Sequence, residues 1–147
     1  MFERIVVALD GSQVSESALR TGTELARSLG VPLHLVRVAD LSVVPWGANQ
    51  AAAAYAELSD EMVQEKDEAT RYLEMVAQPL RDEQGLQVTT EARSGGAARE
   101  LAEAAAPGDL LVVASRGRHG LERLLLGSVA EEVAKKARAS VLIARQS

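Results

Sequence analysis

The sequence predicts an α/β protein built as one doubly wound domain, a five-stranded parallel sheet with helices on both faces. Five short runs rich in aliphatic and β-branched residues alternate with longer segments of helical character. Runs such as IVVAL and LLVVA are almost continuously apolar, which is typical of strands buried on both faces of a sheet. The 147 residues suffice for a substantial core, so we expect positions 1–147 to form a single domain.

The boundaries of these elements follow from where apolar runs give way to polar or helical composition. The predicted strands are Arg4–Leu9, Leu33–Ala39, Leu86–Ala92, Leu110–Ala114 and Val141–Ala144. The predicted helices are Ser15–Leu29, Ala51–Glu83, Ala97–Ala106 and Val129–Ala139. Residues of the first two helices that helical spacing predicts to face the core are Ala18, Leu25, Ala26, Leu29, Met62, Tyr72, Leu73, Met75 and Val76. The irregular segment Asp40–Ala54 is interpreted as a surface connection, with a ligand-facing loop as the alternative.

Composition narrows the classes of function. The chain carries 16 Lys and Arg against 21 Asp and Glu, a formal net charge of -5, which argues against a nucleic-acid partner. One Trp, two Tyr and one Phe leave little to stack single-stranded bases. No apolar run approaches the ~20 residues that span a bilayer, and the immediate start in a strand-like run predicts no signal peptide. The absence of cysteine excludes disulfides and thiolate metal sites, and it fits a cytoplasmic protein.

The most informative segment is VVASRGRHGLERLLLGS, at positions 112–128, which connects the fourth strand to the last helix. It places Gly117 and Gly127 ten positions apart, with Ser128 directly after the second glycine. Glycines between a strand and a helix let the backbone approach a phosphate, and the helix N-terminus supplies free N–H groups. The segment is also basic in an acidic protein; its charged residues are Arg116, Arg118, Glu122 and Arg123. This pattern indicates a small anionic ligand.

A second polar segment, Asp10-Gly11-Ser12, directly follows the first strand. If the first and fourth strands are neighbours, this segment and the glycine-rich one face the same crevice at the carboxyl edge of the sheet. Asp10 could then bind a ribose hydroxyl or a metal-coordinated phosphate. The pattern is equally consistent with Asp10 and Ser12 serving only as turn and cap residues at the start of the first helix.

Ser128 and the two histidines also have interpretations in which they contact no ligand. The sequence SVAE at 128–131 matches a capping box, in which the Ser128 hydroxyl would bond the N–H of Glu131 instead of a ligand. His34 lies inside a predicted strand and indicates a structural histidine. His119 lies in the glycine-rich loop and is consistent with a phosphate contact or with a solvated side chain.

The sequence contains no recognisable catalytic motif. The sequence lacks a Ser-His-Asp set, a His-x-x-x-His pair and the G-x-x-x-x-G-K-[ST] phosphate loop. Its lysines, which all lie outside the glycine-rich loop, are Lys66, Lys135 and Lys136. Without a lysine clamp or a general base, the pattern favours binding over efficient phosphoryl transfer.

With these motifs in place, the chain resembles the universal stress protein family over essentially its whole length. The N-terminal IVVALDGS resembles the family's first strand and its Asp-containing turn. The family's nucleotide motif is G-x-x-G, nine residues, then G-[ST]. Here Ala114 takes the first glycine position, followed by Gly117, nine residues and Gly127-Ser128. The segments GLERLLLGSVAEEV and ASVLIAR strengthen the resemblance.

The resemblance implies a sheet of strand order 3-2-1-4-5 and a bound adenine nucleotide, ATP first with AMP or ADP as alternatives, accompanied by Mg²⁺. It implies adenosine contacts at Ala8, Asp10 and Val38, with Asp10 also the expected metal ligand. It places the phosphate side of the site at Ala114, Arg116, Gly117, Arg118, Gly127 and Ser128. Members are commonly homodimers joined through the last strand, here 140–145, and an apolar edge strand is an independent reason to expect that contact.

Ala114 is a departure from the family's motif. Its methyl group is compatible with the site if the residue has ordinary strand geometry. It is harmful if the position needs a positive φ or a phosphate contact to its backbone. The function that follows is an ATP-binding stress or signalling protein that acts as a nucleotide-dependent switch. The alternatives are a slow ATPase or adenylate-handling enzyme, and a dimeric interaction module that works without nucleotide.

Overall fold

The computed structural model describes residues 1–40, 51–115 and 127–145. Within these ranges strands and helices alternate along the chain. Their bounds are β1 Arg4–Ala8, α1 Ser15–Leu29, β2 Leu33–Asp40, α2 Ala51–Gln84, β3 Val88–Gly95, α3 Ala97–Ala104, β4 Asp109–Ala114, α4 Ser128–Lys136 and β5 Ser140–Ala144. The strands form one parallel sheet in the order β3-β2-β1-β4-β5. The predicted α/β class and the predicted strand order are confirmed.

Side chains that alternate along the strands divide the core into two layers, one on each face of the sheet. The layer under α1 and α2 contains Ile5, Val7, Leu33, Leu35, Leu73, Leu110 and Val112. The layer under α3 and α4 contains Val6, Val36, Leu101, Leu111, Val113 and Val133. Both layers draw on β1 and β4, so these central strands are buried on both faces, as their continuous apolar runs predict.

Several element boundaries differ from the predicted ones, and for β3 the cause is pairing across the sheet. β3 begins at Val88 rather than Leu86 and continues to Gly95, since it pairs with β2 along its whole length, ending with Gly95 opposite Asp40. α3 ends at Ala104 and α4 ends at Lys136, each earlier than predicted. The extension of β3 lengthens the sheet at its carboxyl edge.

The buried face of α2 is narrower than the sequence predicts. Its fully packed stripe recurs at helical spacing and consists of Ala69, Leu73, Ala77 and Leu80. Met75 lies about 200° around the helix from Leu73. It is 72% exposed, so the prediction that it faces the core is wrong. The same prediction is wrong for Leu29, which ends α1 and is exposed, and Met62 falls outside the described side chains.

The longest described helix, α2, has many charged residues along its length. Within the described ranges, neither α2 nor any other helix combines the length and the hydropathy that crossing a membrane requires.

Helix α1 packs closely against β1 at Gly22. A Cβ atom built on Gly22 would overlap Cγ2 of Val7 and would lie 3.5 Å from Cγ2 of Ile5. Only a residue without a side chain allows this approach, although glycine within a helix costs about 1 kcal/mol relative to alanine. The contact holds α1 directly against the strand that leads into the Asp10 turn.

His34 has the structural role that the sequence predicts. It is buried in β2, with Nδ1 2.6 Å from Oγ1 of Thr89 and Nε2 3.1 Å from Oε1 of Glu91, so both ring nitrogens are used by β3. Burial raises the pKa of Glu91, but hydrogen bonds and charge from His34 and Arg93 outweigh it and lower that pKa. The contacts link β2 and β3 through their side chains, so His34 has a structural role.

Candidate functional site

The chain reverses its winding direction at β1. This strand pairs with β2 on one side and with β4 on the other, for example through Val7, which lies opposite Leu35 and Val112. The expectation that the first and fourth strands are neighbours is therefore confirmed. In doubly wound sheets, the carboxyl ends of the strands at such a switch point border the crevice in which ligands bind. The segments that follow β1 and β4 start side by side at this crevice.

The segment after β1 is a compact turn organised by Asp10. Its Oδ1 accepts hydrogen bonds from the backbone N–H of Ser12 at 2.9 Å and from the Ser12 hydroxyl at 2.5 Å, the pattern of an Asx turn. Gly11 has a φ of +84°, in the left-handed region that favours glycine. α1 follows at Ser15, with Val14 in the cap position. The Ser12 hydroxyl also accepts the N–H of Ser15, the first helical residue, at 3.2 Å, so Ser12 serves the start of α1 as well as the turn. The turn and cap interpretation of Asp10 and Ser12 is confirmed, and a ligand role for Asp10 stays a prediction.

The start of α4 is tied to the end of β4. The backbone N–H of Gly127 donates to the carbonyl of Ser115, and the N–H of Ser115 donates to the carbonyl of Ala144 at 2.9 Å. Gly127 and Ser128 therefore lie at the carboxyl edge of the sheet, next to β4. The first N–H groups of a helix have no partner within it. At this edge they form the kind of site that suits an anion.

The capping-box interpretation of Ser128 is wrong. Gly127, with φ -59° and ψ 149°, is the N-cap of α4, and its carbonyl accepts the N–H of Glu131 at 3.0 Å. Ser128 is already the first helical residue, so its hydroxyl lies one position too late to cap the helix. The described residues form no side-chain cap at this end of α4, and Ser128 is exposed there.

Ala8, Val38 and Ala114 fall on different faces of the sheet. Ala8 and Val38 are half-buried and pack against the core layer under α3 and α4. Ala114 is half-buried against the layer under α1 and α2. It is the last residue of β4, in register with Ala144, so its backbone is extended. The methyl group at the first motif position therefore points away from the face that carries Ala8 and Val38, and the strand geometry is ordinary.

Part of the predicted phosphate side lies outside the described residues. This applies to Arg116, Gly117, Arg118 and His119. Most of the segment 40–54, which is predicted as a surface connection, also lies outside them. Within the described ranges, no three His, Asp or Glu side chains lie close enough together to hold a metal ion. A divalent cation at this edge would therefore need ligand atoms from outside the described protein groups.

Sequence reasoning missed Arg37 and its contact with Tyr72, a residue that it predicts only to face the core. The Cζ atom of Arg37 lies 4.8 Å from the centroid of the Tyr72 ring. A Cβ built on Gly11 would lie only 3.1 Å from Nη1 of Arg37, so the guanidinium reaches the Asp10 turn. One signal was present in the sequence. In LHLVRVAD, Arg37 shares a strand face with Leu33 and Leu35, which is an unexpected place for a charge.

The opposite, amino-terminal edge of the sheet carries an open cavity of about 590 Å³. It is lined by Arg4, Pro32, Arg81, Leu86, Gln87, Val88 and Thr89. Its two cations are already paired, Arg4 with Asp109 and Arg81 with Glu74, each at 2.7 Å. Burial raises the pKa of Asp109, but hydrogen bonds from Arg4 and from the Ala106 N–H outweigh it and lower that pKa. We assign these groups to stability rather than to ligand binding.

The fold and the crevice define a doubly wound α/β protein with a switch-point site. The chain matches the universal stress protein family over residues 1–145, and it belongs to that family. It is 32% identical to a universal stress protein of Methanocaldococcus jannaschii, covering 99% of this chain and 84% of that protein. It is 34% identical to universal stress protein YxiE of Bacillus subtilis, covering 99% of this chain and 100% of that protein.

Solved structures show the same fold. A universal stress protein in complex with cAMP superposes with a TM-score of 0.65 at 22% identity, covering 99% of this chain and 98% of that one. The universal stress protein of Archaeoglobus fulgidus in complex with dAMP gives a TM-score of 0.58 at 21% identity, covering 97% and 98%.

Proposed function

We propose that this chain is a cytoplasmic protein that binds an adenine nucleotide, with ATP as the first candidate, and acts as a nucleotide-dependent stress or signalling switch. The observation that carries the proposal is the hydrogen bond from Gly127 to Ser115, which holds the start of α4 beside the end of β4. The Asp10 turn begins one strand away, and neighbouring strands are about 4.8 Å apart. A nucleoside at the turn and phosphates at α4 can therefore belong to one ligand.

The proposed roles follow from these positions. The half-buried apolar groups Ala8 and Val38 form a surface for the adenine ring. Asp10 accepts a ribose hydroxyl. The Gly127 N–H is used by Ser115, so the N–H groups of the first turn of α4, at 128–130, receive the phosphate oxygens next to Gly127. On the phosphate side we also propose Arg116, Gly117 and Arg118. The relatives in complex with cAMP and dAMP support this choice of ligand, since both ligands are adenine nucleotides.

Ala114 is compatible with this proposal. Its methyl group faces the layer under α1 and α2, opposite to Ala8 and Val38. Its extended backbone requires no positive φ, so an alanine at the first motif position introduces no strain. We therefore expect the departure from the motif to leave nucleotide binding intact.

We propose that Mg²⁺ binds as a companion of the nucleotide. One oxygen of Asp10 already accepts two hydrogen bonds from Ser12. The described residues offer no preformed cage of metal ligands around it. Mg²⁺ is commonly held by one or two carboxylates together with substrate phosphates. We propose that Asp10 contributes one ligand and that phosphate oxygens supply the charge that retains the ion.

A thermal unfolding experiment with nucleotide tests the proposal. A ligand at ~100 times its dissociation constant stabilises the folded state by about 2.7 kcal/mol, so ATP should raise the melting temperature in a concentration-dependent way. Mg²⁺ should strengthen the effect, and GTP should give a smaller one. No stabilisation at millimolar ATP, with or without Mg²⁺, would contradict the proposal.

We also propose that two copies pair through β5. This strand lies at one edge of the sheet and carries the apolar run SVLIA, whose central residues Val141, Leu142 and Ile143 are only half-buried. The other edge strand, β3, carries Glu91 and Arg93 in an ion-paired arrangement. Charged edge strands resist pairing, whereas apolar ones invite it. The contrast favours β5 as the homodimer edge.

Replacing Ile143 with Asp should convert the dimer into a monomer, because it would bury a charge at the proposed edge. Sedimentation velocity would measure the mass, and circular dichroism would confirm that the variant is folded. Met75→Asp, on an exposed position of α2, is the matched control and should remain dimeric. A folded Ile143→Asp protein of unchanged dimeric mass would rule out this edge as the interface.

A further inference from the structure

Arg37 is the residue near the crevice that the proposed nucleotide contacts leave unexplained. A Cβ built on Gly11 would lie 3.1 Å from its Nη1 and 3.4 Å from both its Cζ and Nη2. These distances place the guanidinium in the space that a side chain at Gly11 would approach. The side chain thus extends from β2 to the turn that follows β1 and lies beside Gly11.

Tyr72 of α2 holds the same guanidinium. The 4.8 Å from the Cζ of Arg37 to the ring centroid lies within the range of a cation–π contact. Burial raises the pKa of the Tyr72 phenol, and the Arg37 charge opposes that rise. The carboxylates of Asp10 and Glu16 raise the same pKa further. The turn, α1 and β2 therefore each place a charged group near the Tyr72 ring of α2.

We infer that Arg37 is a positioning residue for the turn 10–12: held by Tyr72, its guanidinium supports Gly11 and fixes the orientation of Asp10. Two features suit Gly11 to this position. Its φ of +84° favours glycine, and a side chain there would displace the guanidinium. The consequence for the ligand rests on the proposed function, in which Asp10 lies on the adenosine side. Arg37 then affects nucleotide affinity by holding the turn in its binding geometry.

Variants of both partners test this inference. Arg37→Met keeps much of the length of the side chain and removes the guanidinium, so it should weaken adenine-nucleotide affinity roughly tenfold. Tyr72→Leu should weaken it in the same direction, whereas Tyr72→Phe keeps the ring and should bind within about twofold of the wild type. The double variant Arg37→Met/Tyr72→Leu should bind no more weakly than the weaker single variant, because both substitutions remove one contact.

Arg81→Met is the matched control. Arg81 also carries a partly exposed guanidinium with partners in the fold, Glu74 at 2.7 Å and the carbonyl of Val88 at 2.9 Å, but it lies at the opposite edge of the sheet. Its loss should lower the melting temperature and leave nucleotide affinity unchanged. The comparison separates a general loss of stability from a specific effect on the turn.

Amide hydrogen exchange in the ligand-free protein separates this inference from the proposed function. The N–H of Ser12 donates to Asp10, so it should exchange faster in Arg37→Met than in Arg81→Met. If the wild type binds no adenine nucleotide, the proposed function fails, and faster Ser12 exchange still supports the positioning role. Unchanged Ser12 exchange overturns the inference. Unchanged nucleotide affinity of Arg37→Met, where the wild type binds, overturns it as well.

Discussion

Replacing Gly127 with Val is expected to weaken adenine-nucleotide binding by about 10- to 100-fold. Gly127 is the N-cap of α4, and its N–H bonds the Ser115 carbonyl at the end of β4. In the proposed site, a β-branched side chain at this position would lie beside the phosphates and the N–H groups that receive them. Overpacking costs about 1–3 kcal/mol, and about 1.4–2.8 kcal/mol within that range corresponds to a 10- to 100-fold loss of affinity. Calorimetric titration with ATP would measure the change.

Gly96→Val is the matched control for this substitution. Gly96 is the N-cap of α3, with φ -69° and ψ 125°, a backbone conformation close to that of Gly127. A Cβ on Gly96 would meet no atom within 4 Å, so the same side chain fits there. Its affinity for ATP should equal that of the wild type. Equal affinities for the wild type and the Gly127→Val protein would place the phosphates elsewhere.

Gly22→Val should cause the largest loss of stability among these variants, about 3 kcal/mol or more. The added atoms would enter the space of Val7, and β1 is buried on both faces and has no room to shift. Gly22→Ala is the more demanding test, because helix propensity alone predicts a gain of about 1 kcal/mol. We expect a net loss even there.

Denaturant unfolding would measure both Gly22 variants, with Gly96→Val as the control that should stay near the wild-type stability. If the Gly22→Val protein unfolds at the wild-type denaturant concentration, α1 does not pack against β1 as described. Loss of the contact should also loosen the Asp10 turn, since α1 follows that turn directly. A reduced affinity for ATP should therefore accompany the reduced stability.

The fold was predictable because its signals are local and repeated. The continuous apolar runs of β1 and β4 predict strands buried on both faces, and the helical segments between strands predict a parallel sheet. The boundaries were less predictable, since they depend on partners distant in sequence. β3 continues to Gly95 because β2 pairs with it there, and no local pattern encodes that pairing.

The site was predictable to the extent that single segments encode it. The Asp10 turn and the glycine at the start of α4 follow from residue types that serve turns and helix ends. The capping box at Ser128 was a misleading local pattern, because Gly127 already fills the cap position. The role of Arg37 was not predictable from the sequence. It depends on Gly11 and Tyr72, which belong to other segments and lie near Arg37 only in the folded chain.

The central claim is that one adenine nucleotide bridges the Asp10 turn and the start of α4. Amide hydrogen exchange of the wild-type protein with and without saturating ATP tests it most directly. The account predicts slower exchange at two separate segments, 10–12 and 127–130, and no change at the amino-terminal edge around Val88. Exchange that ATP leaves unchanged at both segments, or slows only at the amino-terminal edge, would contradict it.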